Sequence, residues 1–347
     1  MFFRGGYLIT MFGRVDHIEI KGIKAVVPKT KKHTLEYADV LGKRRCERQI
    51  KLTGVLERRV SLEKQKSSDL ALEAVKALIA DIGWRSGDID VLVFATQNPL
   101  YVLPSTAFYL QKELGMSNES IVFDINLGCS AAPIGIQIVS SLLLQGKKNA
   151  KGLLLISDAV YEIKNISDPN IVAERLLFGS AGSAVALEKN DEVNASMAYL
   201  TKSDGRRYEA IICPMGGRFS MDGEAVFAFG INDVCNDLLH FKEIFDIKEN
   251  DIDFYSFHQA QLMMLDAIDS ECGIVEGKEL RSLDYYGNTN GSSVLLNLCA
   301  NSGKFQKSKI HVIMCAFGVG LSWSYMDVIL PVSSVFPITE SDTYYEK

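Results

Sequence analysis

One of the seven cysteines, Cys129, stands where a nucleophile would be expected. It follows the apolar run 121–125, which predicts a buried strand, and it precedes the apolar segment 131–144, which predicts a buried helix. Gly128 permits a sharp turn between the two. The N–H groups and partial positive charge of a helix N-terminus would lower the pKa of the thiol and stabilise an oxyanion. Taken alone, the position suits a reactive thiolate and an ordinary buried cysteine equally well.

Two further polar residues lie at positions where catalytic groups are often found. His258 ends the apolar run 254–257, and functional side chains gather at the ends of strands in α/β sheets. Asn288 lies in the segment Gly-Asn-Thr-Asn-Gly. Each also has a structural interpretation, because a histidine at a strand end commonly makes structural hydrogen bonds and an asparagine between glycines is ordinary turn chemistry. The three residue types on separate segments are more informative together than singly.

The elements that must position these residues alternate between strands and helices. Apolar residues at helical spacing predict helices over 67–82 and 105–114. Short apolar runs predict strands at 16–27, 91–96, 121–125, 153–156 and 254–257. Such alternation indicates an α/β fold, with parallel strands covered by helices on both faces.

The second half of the chain repeats the first. The segment 88–97 (DIDVLVFATQ) aligns with 251–260 (DIDFYSFHQA) at an offset of 251 − 88 = 163 residues, and pairing Cys129 with Asn288 gives 288 − 129 = 159. A duplicated half-domain is the economical interpretation. It predicts that Cys129 and Asn288 approach one another near a pseudo-twofold axis. The predicted half-domains are 11–188, which holds the cysteine, and 189–347, which holds the histidine and the asparagine.

The composition excludes several classes of protein. The net charge of −6 argues against a nucleic-acid partner, since phosphate binding needs a concentrated basic surface. The short basic run 43–51 suits either a solvated helix face or a grip on an anionic ligand. The cysteines show no metal-site or disulfide spacing, so we expect no metal and a reducing, cytoplasmic location. We expect no membrane span, and residues 1–10 are too short for a secretory signal.

Ordered motifs along the chain resemble those of β-ketoacyl-acyl-carrier-protein synthase III. The four signature segments are 126–132 (NLGCSAA), 257–260 (FHQA), 286–289 (YGNT) and 316–323 (AFGVGLSW). Three weaker matches are 53–59 (TGVLERR), 103–107 (LPSTA) and 221–224 (MDGE). Together they span the chain from about residue 16 onward. The resemblance implies a thiolase-like fold with five layers, α-β-α-β-α, built from two duplicated half-domains, and a homodimer.

The resemblance also implies roles for individual residues. Cys129 would take an acyl group from a thioester. His258 and Asn288 would donate hydrogen bonds to a malonyl thioester and stabilise the enolate that forms as carbon dioxide leaves. The backbone N–H groups of Cys129 and Val319 would form the oxyanion hole. The implied substrate-binding residues are Leu103 (at the acyl pocket of the partner subunit), Gly223, Ala260, Gln261 and Phe317. The implied substrates are acyl-CoA and malonyl thioesters, with an acyl carrier protein as a further partner and no cofactor.

Some positions depart from the family pattern. Gln261 stands where relatives have asparagine, Arg48 where many have a tryptophan that stacks on coenzyme A, and Val319 where glycine is usual. The segment 179–183 (GSAGS) has lost an acidic residue, and the helix after Gln261 is acidic instead of basic. Like charges weaken the docking of an acidic carrier protein on that helix. These departures favour a specialised relative over the initiator of fatty-acid synthesis.

Three functional hypotheses of different kinds remain open. The first is decarboxylative Claisen condensation with Cys129 as the acyl carrier. The second keeps acyl-Cys129 but transfers the acyl group to an alcohol or amine of a small metabolite or sugar, with His258 as general base. The third is a non-catalytic subunit that uses the fold for dimerisation, which the presence of Cys129 disfavours.

Overall fold

The computed structural model describes residues 11–164, 166 and 168–346. Residues 1–10, for which no secretory signal or membrane span was expected, lie outside the described residues. The strands are β1 (Met11–Asp16), β2 (Ile18–Val27), β3 (Lys31–His33), β4 (Glu57–Arg59), β5 (Val91–Ala95), β6 (Ile121–Ile125), β7 (Lys151–Asp158), β8 (Ala181–Lys189), β9 (Ser196–Ser203), β10 (Ile211–Ile212), β11 (Ser220–Met221), β12 (Phe254–Phe257), β13 (Lys309–Gly318), β14 (Ser322–Pro331) and β15 (Thr339–Glu340). The α-helices are α1 (Ala38–Leu41), α2 (Lys43–Thr53), α3 (Ser67–Ile82), α4 (Thr106–Leu114), α5 (Ala131–Leu144), α6 (Pro169–Arg175), α7 (Gly223–Phe229), α8 (Cys235–Ile244), α9 (Leu262–Cys272), α10 (Leu283–Tyr286) and α11 (Ser293–Ala300).

Two large sheets share one topology. The first has the strand order β15-β2-β8-β7-β5-β6, and the second has the order β1-β9-β14-β13-β12. In the first sheet β5 is parallel to β7, and β7 is antiparallel to β8. In the second sheet β12 is parallel to β13, and β13 is antiparallel to β14. The order β2-β8-β7-β5 therefore recurs as β9-β14-β13-β12, as a duplicated half-domain requires.

Three hydrophobic cores separate five layers. One core packs α3 and α4 against the outer face of the first sheet. The central core packs α5 and α11 between the two sheets, and the third packs α8 and α9 against the outer face of the second sheet. Successive residues of one strand enter different cores, because Val93 faces the central layer while Leu92 and Phe94 face the outer helices. This is the predicted α-β-α-β-α arrangement.

The two sheets also exchange edge strands. The N-terminal β1 pairs with β9 of the second sheet, and the C-terminal β15 pairs with β2 of the first. Strands β1 and β15 thus connect the two halves of the fold. The half-domain boundaries 11–188 and 189–347 stay a prediction.

Two expectations about the strands and the repeat were wrong. The run 121–125 was expected to be a buried strand, but β6 lies at the edge of its sheet and Ile121 is 51% exposed. The pairing of Cys129 with Asn288 is out of register with the helices, since α5 and α11 begin at Ala131 and Ser293, an offset of 293 − 131 = 162. At that offset the counterpart of Cys129 is Gly291. Gly291 lies in the short 3-10 turn Asn290–Ser292, which precedes α11.

Among the described residues, no helix combines the length and the apolar composition needed to cross a membrane. Within the same part of the chain, no group of three or more His, Cys, Asp or Glu side chains is placed to hold a metal ion.

Candidate active site

A single cavity brings together the residues that the sequence singled out. Cys129, His258 and Asn288 all line a space of about 80 Å³. The same wall contains the predicted substrate-binding residues Gly223, Ala260, Gln261 and Phe317, and the predicted oxyanion-hole residue Val319. Leu103 is different, since its side chain is 85% exposed and does not line this cavity in its own chain.

Cys129 lies in the turn between β6 and α5. The N–H of Ala131 donates to the carbonyl oxygen of Gly128, and α5 begins at Ala131, two residues after the thiol. The end of β13 presses on this turn. A Cβ added to Gly318 would lie 2.6 Å from the Cβ of Cys129, so only glycine allows the approach. Because of this close contact, the backbone N–H of the next residue, Val319, forms a hydrogen bond with the thiol of Cys129.

The expectation that the pKa of the Cys129 thiol is lowered is wrong. Burial raises the pKa of Cys129 to about 12, although hydrogen bonds from the N–H groups of Val319 and Cys129 oppose the rise. The Asp158 carboxyl adds to the increase. The helix begins two residues beyond the sulfur and water is excluded, so desolvation outweighs the helix terminus. Attack by Cys129 therefore requires transfer of its proton to an acceptor.

His258 supplies a neutral imidazole at the end of β12. The side chain is 2% exposed, and burial lowers its pKa to about 4. Its Nδ1 atom lies 2.7 Å from the Oγ atom of Ser293, and the ring of Phe317 meets it edge-on with centroids 5.5 Å apart. These contacts hold the ring from two sides, and the backbone of Asn290 adds a hydrogen bond that partly opposes the fall in pKa.

Asn288 is held by its backbone and by its side chain. Its N–H donates to Leu177 and its carbonyl oxygen accepts from Gly179, which fastens the segment beside the turn of Cys129. The side-chain oxygen accepts from the N–H of Asn290 at 2.9 Å, and Nδ2 donates to the carbonyl oxygen of Ala260 at 3.3 Å. One Nδ2 proton thus remains for a ligand in the cavity.

Glycines let the backbone segments of the site approach one another. A Cβ on Gly291 would lie 2.7 Å from the carbonyl oxygen of Gly128, and a Cβ on Gly179 would lie 2.0 Å from that of Tyr286. The two halves of the fold therefore meet with backbone against backbone at the nucleophile.

Two residues near the site were missed by the sequence analysis. Ser293 holds the imidazole of His258 and also donates from Oγ to the carbonyl oxygen of Asn290 at 2.8 Å. Asp158, at the end of β7, is buried and accepts from the N–H of Gln97 at 2.8 Å, while burial raises its pKa to about 7. The strand-end position of Asp158 was a usable signal. Nothing in the sequence distinguishes Ser293 from its neighbour Ser292.

Two neighbouring helices, α9 and α2, carry opposite charges. α9 contains no Lys or Arg, and Arg281 beside it is tied to Asp266, Asp269 and Glu279. α2 instead presents arginines around a surface groove of about 720 Å³, lined by Arg44, Arg45 and Arg48. The two helices are adjacent, since a Cβ on Gly54 after α2 would lie 2.9 Å from the Cβ of Leu262 in α9.

Comparisons with known proteins agree with this geometry. The family model for 3-oxoacyl-(acyl-carrier-protein) synthase III matches residues 123–205, and the model for the C-terminal part of the same synthase matches residues 244–328. The two ranges contain Cys129 in the first, and His258, Asn288 and Val319 in the second.

Similar proteins extend over most of the chain. A β-ketoacyl-(acyl-carrier-protein) synthase III of Clostridium perfringens is 31% identical over 288 residues, which cover 78% of this chain and 86% of that protein. One from Lactococcus lactis subsp. cremoris is 28% identical, with the same coverage. A solved 3-oxoacyl-(acyl-carrier protein) synthase from Burkholderia xenovorans has a TM-score of 0.89 at 27% identity, over 96% of this chain and 99% of that one. The predicted thiolase-like fold class is confirmed.

Proposed function

The chain belongs to the 3-oxoacyl-(acyl-carrier-protein) synthase III family, and we propose on this basis that it extends a Cys129-bound acyl group with a malonyl-type thioester. The reaction is a decarboxylative Claisen condensation, and the product is a β-ketoacyl thioester. The observation that carries the proposal is the shared cavity of Cys129, His258 and Asn288, with the N–H of Val319 at the thiol.

In the first half-reaction, the sulfur of Cys129 attacks the carbonyl carbon of an acyl thioester. A new C–S bond forms, the bond to the carrier sulfur breaks, and the N–H groups of Cys129 and Val319 stabilise the intermediate oxyanion. The thiol proton moves to the neutral imidazole of His258 and on to the departing carrier thiolate. This acceptor matters because burial keeps the thiol protonated at neutral pH.

In the second half-reaction, a malonyl thioester loses its carboxylate as carbon dioxide. The electron pair of the broken C–C bond moves onto the thioester carbonyl, and the resulting enolate oxygen accepts hydrogen bonds from Nε2–H of His258 and from Nδ2 of Asn288. The enolate carbon then attacks acyl-Cys129, the C–S bond breaks, and the sulfur regains a proton from solvent. Both donors are neutral, so they stabilise the negative charge that develops on the enolate oxygen without adding a charge of their own.

The alternative acceptors, an alcohol or an amine, are not favoured. The relatives that match most of the chain are synthases, and Asn288 is a hydrogen-bond donor that a simple acyl transfer with a His258 base would not need. The non-catalytic hypothesis also has less support, because all parts of the nucleophile site are in place around Cys129.

The charges on α2 and α9 support a proposal for the thioester carrier. The acidic α9 repels an acidic carrier protein, whereas the arginines of α2 attract the phosphates of coenzyme A or the acidic surface of a carrier. We therefore assign carrier recognition to α2, with acyl-CoA as the acyl donor. The absence of a resident cofactor remains a prediction.

A homodimer in the reducing cytoplasm completes the proposal. Apolar side chains are exposed on and around the edge strand β6 and on α4, and they include Val102, Leu103, Phe108 and Ile121. A second copy covering this surface would place its Leu103 near the acyl cavity, as the family resemblance implies.

Seven unpaired cysteines suit a reducing compartment. Light scattering of the full-length protein tests the dimer.

The function is tested by separating acylation from condensation. The protein is incubated with acyl-CoA thioesters, and intact-protein mass spectrometry detects the adduct; a malonyl thioester is then added, and carbon dioxide and β-ketoacyl products are measured. We expect an adduct that Cys129→Ala abolishes and that Cys213→Ala, which changes an exposed cysteine, retains. An adduct that passes to alcohols or amines without release of carbon dioxide would support the alternative instead.

A further inference from the structure

The segment that follows β14 returns to the first half of the fold. Its strand β15 pairs with β2, and residues 341–345 contact α3. The Nε2 atom of Gln65 donates to the carbonyl oxygen of Ser341, and the hydroxyl of Ser341 donates to the carboxylate of Glu73. We call residues 339–345 the C-terminal strap. Several independent contacts therefore hold the strap in place.

Glu340 of the strap reaches a buried cation. The side chain of Arg59 in β4 is 4% exposed, and its Nη2 atom lies 2.8 Å from Oε1 of Glu340. Its Nη1 atom donates to the carbonyl oxygen of Pro28 at 2.9 Å. Among the described residues, Glu340 is the only carboxylate that pairs with this guanidinium group, and the hydrogen bond lowers the pKa of the Glu340 carboxyl. Because a buried charge is costly without its partner, the position of the Arg59 side chain depends on Glu340.

The same guanidinium group lies over the ring of Tyr286. Its central carbon is 5.5 Å from the ring centroid, which is within the range of a cation–π contact. Tyr286 ends α10, and Gly287 and Asn288 follow it. A glycine fixes the backbone poorly by itself, so the orientation of Asn288 depends on what holds its neighbours. Only this one glycine separates Asn288 from a ring that Arg59 holds.

The backbone of Arg59 also supports Asn288. Its carbonyl oxygen accepts from the N–H of Ser180 at 2.8 Å, and the N–H of Gly179 donates to the carbonyl oxygen of Asn288 at 3.0 Å. Gly179 and Ser180 therefore connect the backbone of Arg59 to that of Asn288. Through its side chain and through its backbone, Arg59 contacts two segments that determine where the catalytic amide lies.

From these contacts we infer that Glu340 and Arg59 are positioning residues for Asn288. Glu340 fixes the guanidinium group of Arg59. Arg59 in turn holds Tyr286 and Gly179, so that the Asn288 amide can donate to the enolate oxygen. Neither Glu340 nor Arg59 lines the cavity of Cys129, so both act through Asn288 and not on the substrate. The inference rests on the proposed function, since it assigns supporting residues to the decarboxylation step.

The competing explanation is that the ion pair serves the fold alone. Loss of a buried ion pair lowers the stability of the folded protein, and a smaller folded fraction slows both half-reactions alike. A positioning role instead lowers the rate of decarboxylation in protein that is fully folded. The two explanations are separated by measuring both half-reactions on one preparation.

Glu340→Gln tests the inference in the full-length protein. The amide keeps the shape of the side chain and removes its charge, while the contacts of Gln65 and Glu73 still hold the strap. Release of carbon dioxide from malonyl-CoA and acylation of Cys129 by acetyl-CoA are measured, and urea unfolding checks that the variant is folded. We expect carbon dioxide release at saturating malonyl-CoA to fall on the order of tenfold, and acylation to change by less than about twofold.

Variants of Tyr286 test the contact that transmits the effect. Tyr286→Phe keeps the ring and should retain carbon dioxide release. Tyr286→Leu removes the ring and should reduce the release as Glu340→Gln does, with acylation again retained. Glu346→Gln is the matched control, because Glu346 is an exposed glutamate of the same C-terminal segment with no ion pair in the part of the chain that the structure describes. It should change neither rate.

The possible outcomes separate this inference from the function. Carbon dioxide release at the wild-type rate in both Glu340→Gln and Tyr286→Leu overturns the inference while leaving condensation intact. A parallel fall of both half-reactions also overturns it, since the pair would then serve the fold alone. If Glu340→Gln does not fold, Tyr286→Leu decides, because it leaves the ion pair in place. No carbon dioxide from the wild type with any malonyl thioester overturns the proposed function itself, and the inference with it.

Discussion

The Nδ1 atom of His258 lies 2.7 Å from the Oγ atom of Ser293, and that hydroxyl lies 2.8 Å from the carbonyl oxygen of Asn290. A hydroxyl has one proton to donate. If Ser293 donates to Asn290, its oxygen accepts from Nδ1–H, and Nε2 of His258 is a base. If Ser293 rotates to donate to Nδ1, the proton lies on Nε2, which is then a donor. The two half-reactions need these two tautomers in turn.

Removal of the Ser293 hydroxyl should therefore impair the second half-reaction. In Ser293→Ala, Nδ1 loses the hydroxyl that can donate to it, so the Nε2–H form that stabilises the enolate is disfavoured. We expect the release of carbon dioxide from a malonyl thioester to fall about tenfold, with acylation of Cys129 less affected. Ser293→Thr should restore the rate. Ser292→Ala is the control, because that hydroxyl donates to Ile156 instead; an equal loss there would indicate a general packing defect.

Asn288→Asp should abolish the same step by a different route. The carboxylate keeps the acceptor for the N–H of Asn290 but has no N–H for the enolate oxygen, and its charge repels that oxygen. We expect decarboxylation to fall by about 100-fold or more. Acylation of Cys129 should persist, since Asn288 has no part in it. Stopped assays that measure the adduct and carbon dioxide separately check this, and parallel losses in both would contradict the assigned role.

The sequence predicted those features that depend on local pattern and on order along the chain. The bounds of α3 and β6 match the predicted 67–82 and 121–125, because uninterrupted apolar spacing ends at clear polar or glycine boundaries. The placement of Cys129, His258 and Asn288 around one cavity follows from strand ends that meet in a duplicated fold. Their catalytic roles stay predictions.

Features that depend on packing between distant segments were not predictable. The edge position of β6 depends on which other strands pair with it in the sheet. An apolar run looks the same in the sequence whether its strand lies at the edge or in the centre of a sheet. The raised pKa of Cys129 arises from burial, and the close contact with the turn comes from Gly318, which is 318 − 129 = 189 residues away. The contact between Ser293 and His258 depends on the rotamer of the serine side chain, which the spacing of residues along the sequence does not encode.

The low pKa of His258 predicts a specific loss of stability in acid. The imidazole has a pKa of about 4 when folded and an ordinary value of 6.5 when unfolded, so below pH 6.5 the unfolded chain binds the proton first. The free energy of unfolding should therefore decrease as the pH falls from 6.5 to 4, by about 2 kcal/mol at pH 5 from this group alone. Urea unfolding of the wild type and His258→Gln at pH 7 and pH 5 checks it. The same decrease in both proteins would assign the loss elsewhere.

Charge reversal on α2 should weaken recognition of the carrier but not the chemistry. Arg44→Glu with Arg48→Glu removes the positive charge at the groove, so KM for acyl-CoA should rise about tenfold or more. An acyl-pantetheine, which lacks the nucleotide phosphates, should react at the wild-type rate. Lys304→Glu is a control at an exposed basic residue outside the groove. Loss of activity toward acyl-pantetheine as well would indicate that α2 supports the site structurally.

Gly318→Ala should displace the nucleophile from its oxyanion hole. The new Cβ would lie 2.6 Å from the Cβ of Cys129, a distance that real side chains do not show, and 3.0 Å from its Sγ. Relief requires the turn of Cys129 and the end of β13 to separate, which costs about 1–3 kcal/mol of unfolding free energy and moves the N–H of Val319 away from the sulfur. We expect acylation to fall by about 100-fold, in line with the loss of one oxyanion-hole donor. Gly303→Ala, with no atom within 4 Å of the added methyl group, should leave the rate unchanged. A Gly318→Ala protein that acylates at the wild-type rate would show that the contact with β13 does not position the nucleophile.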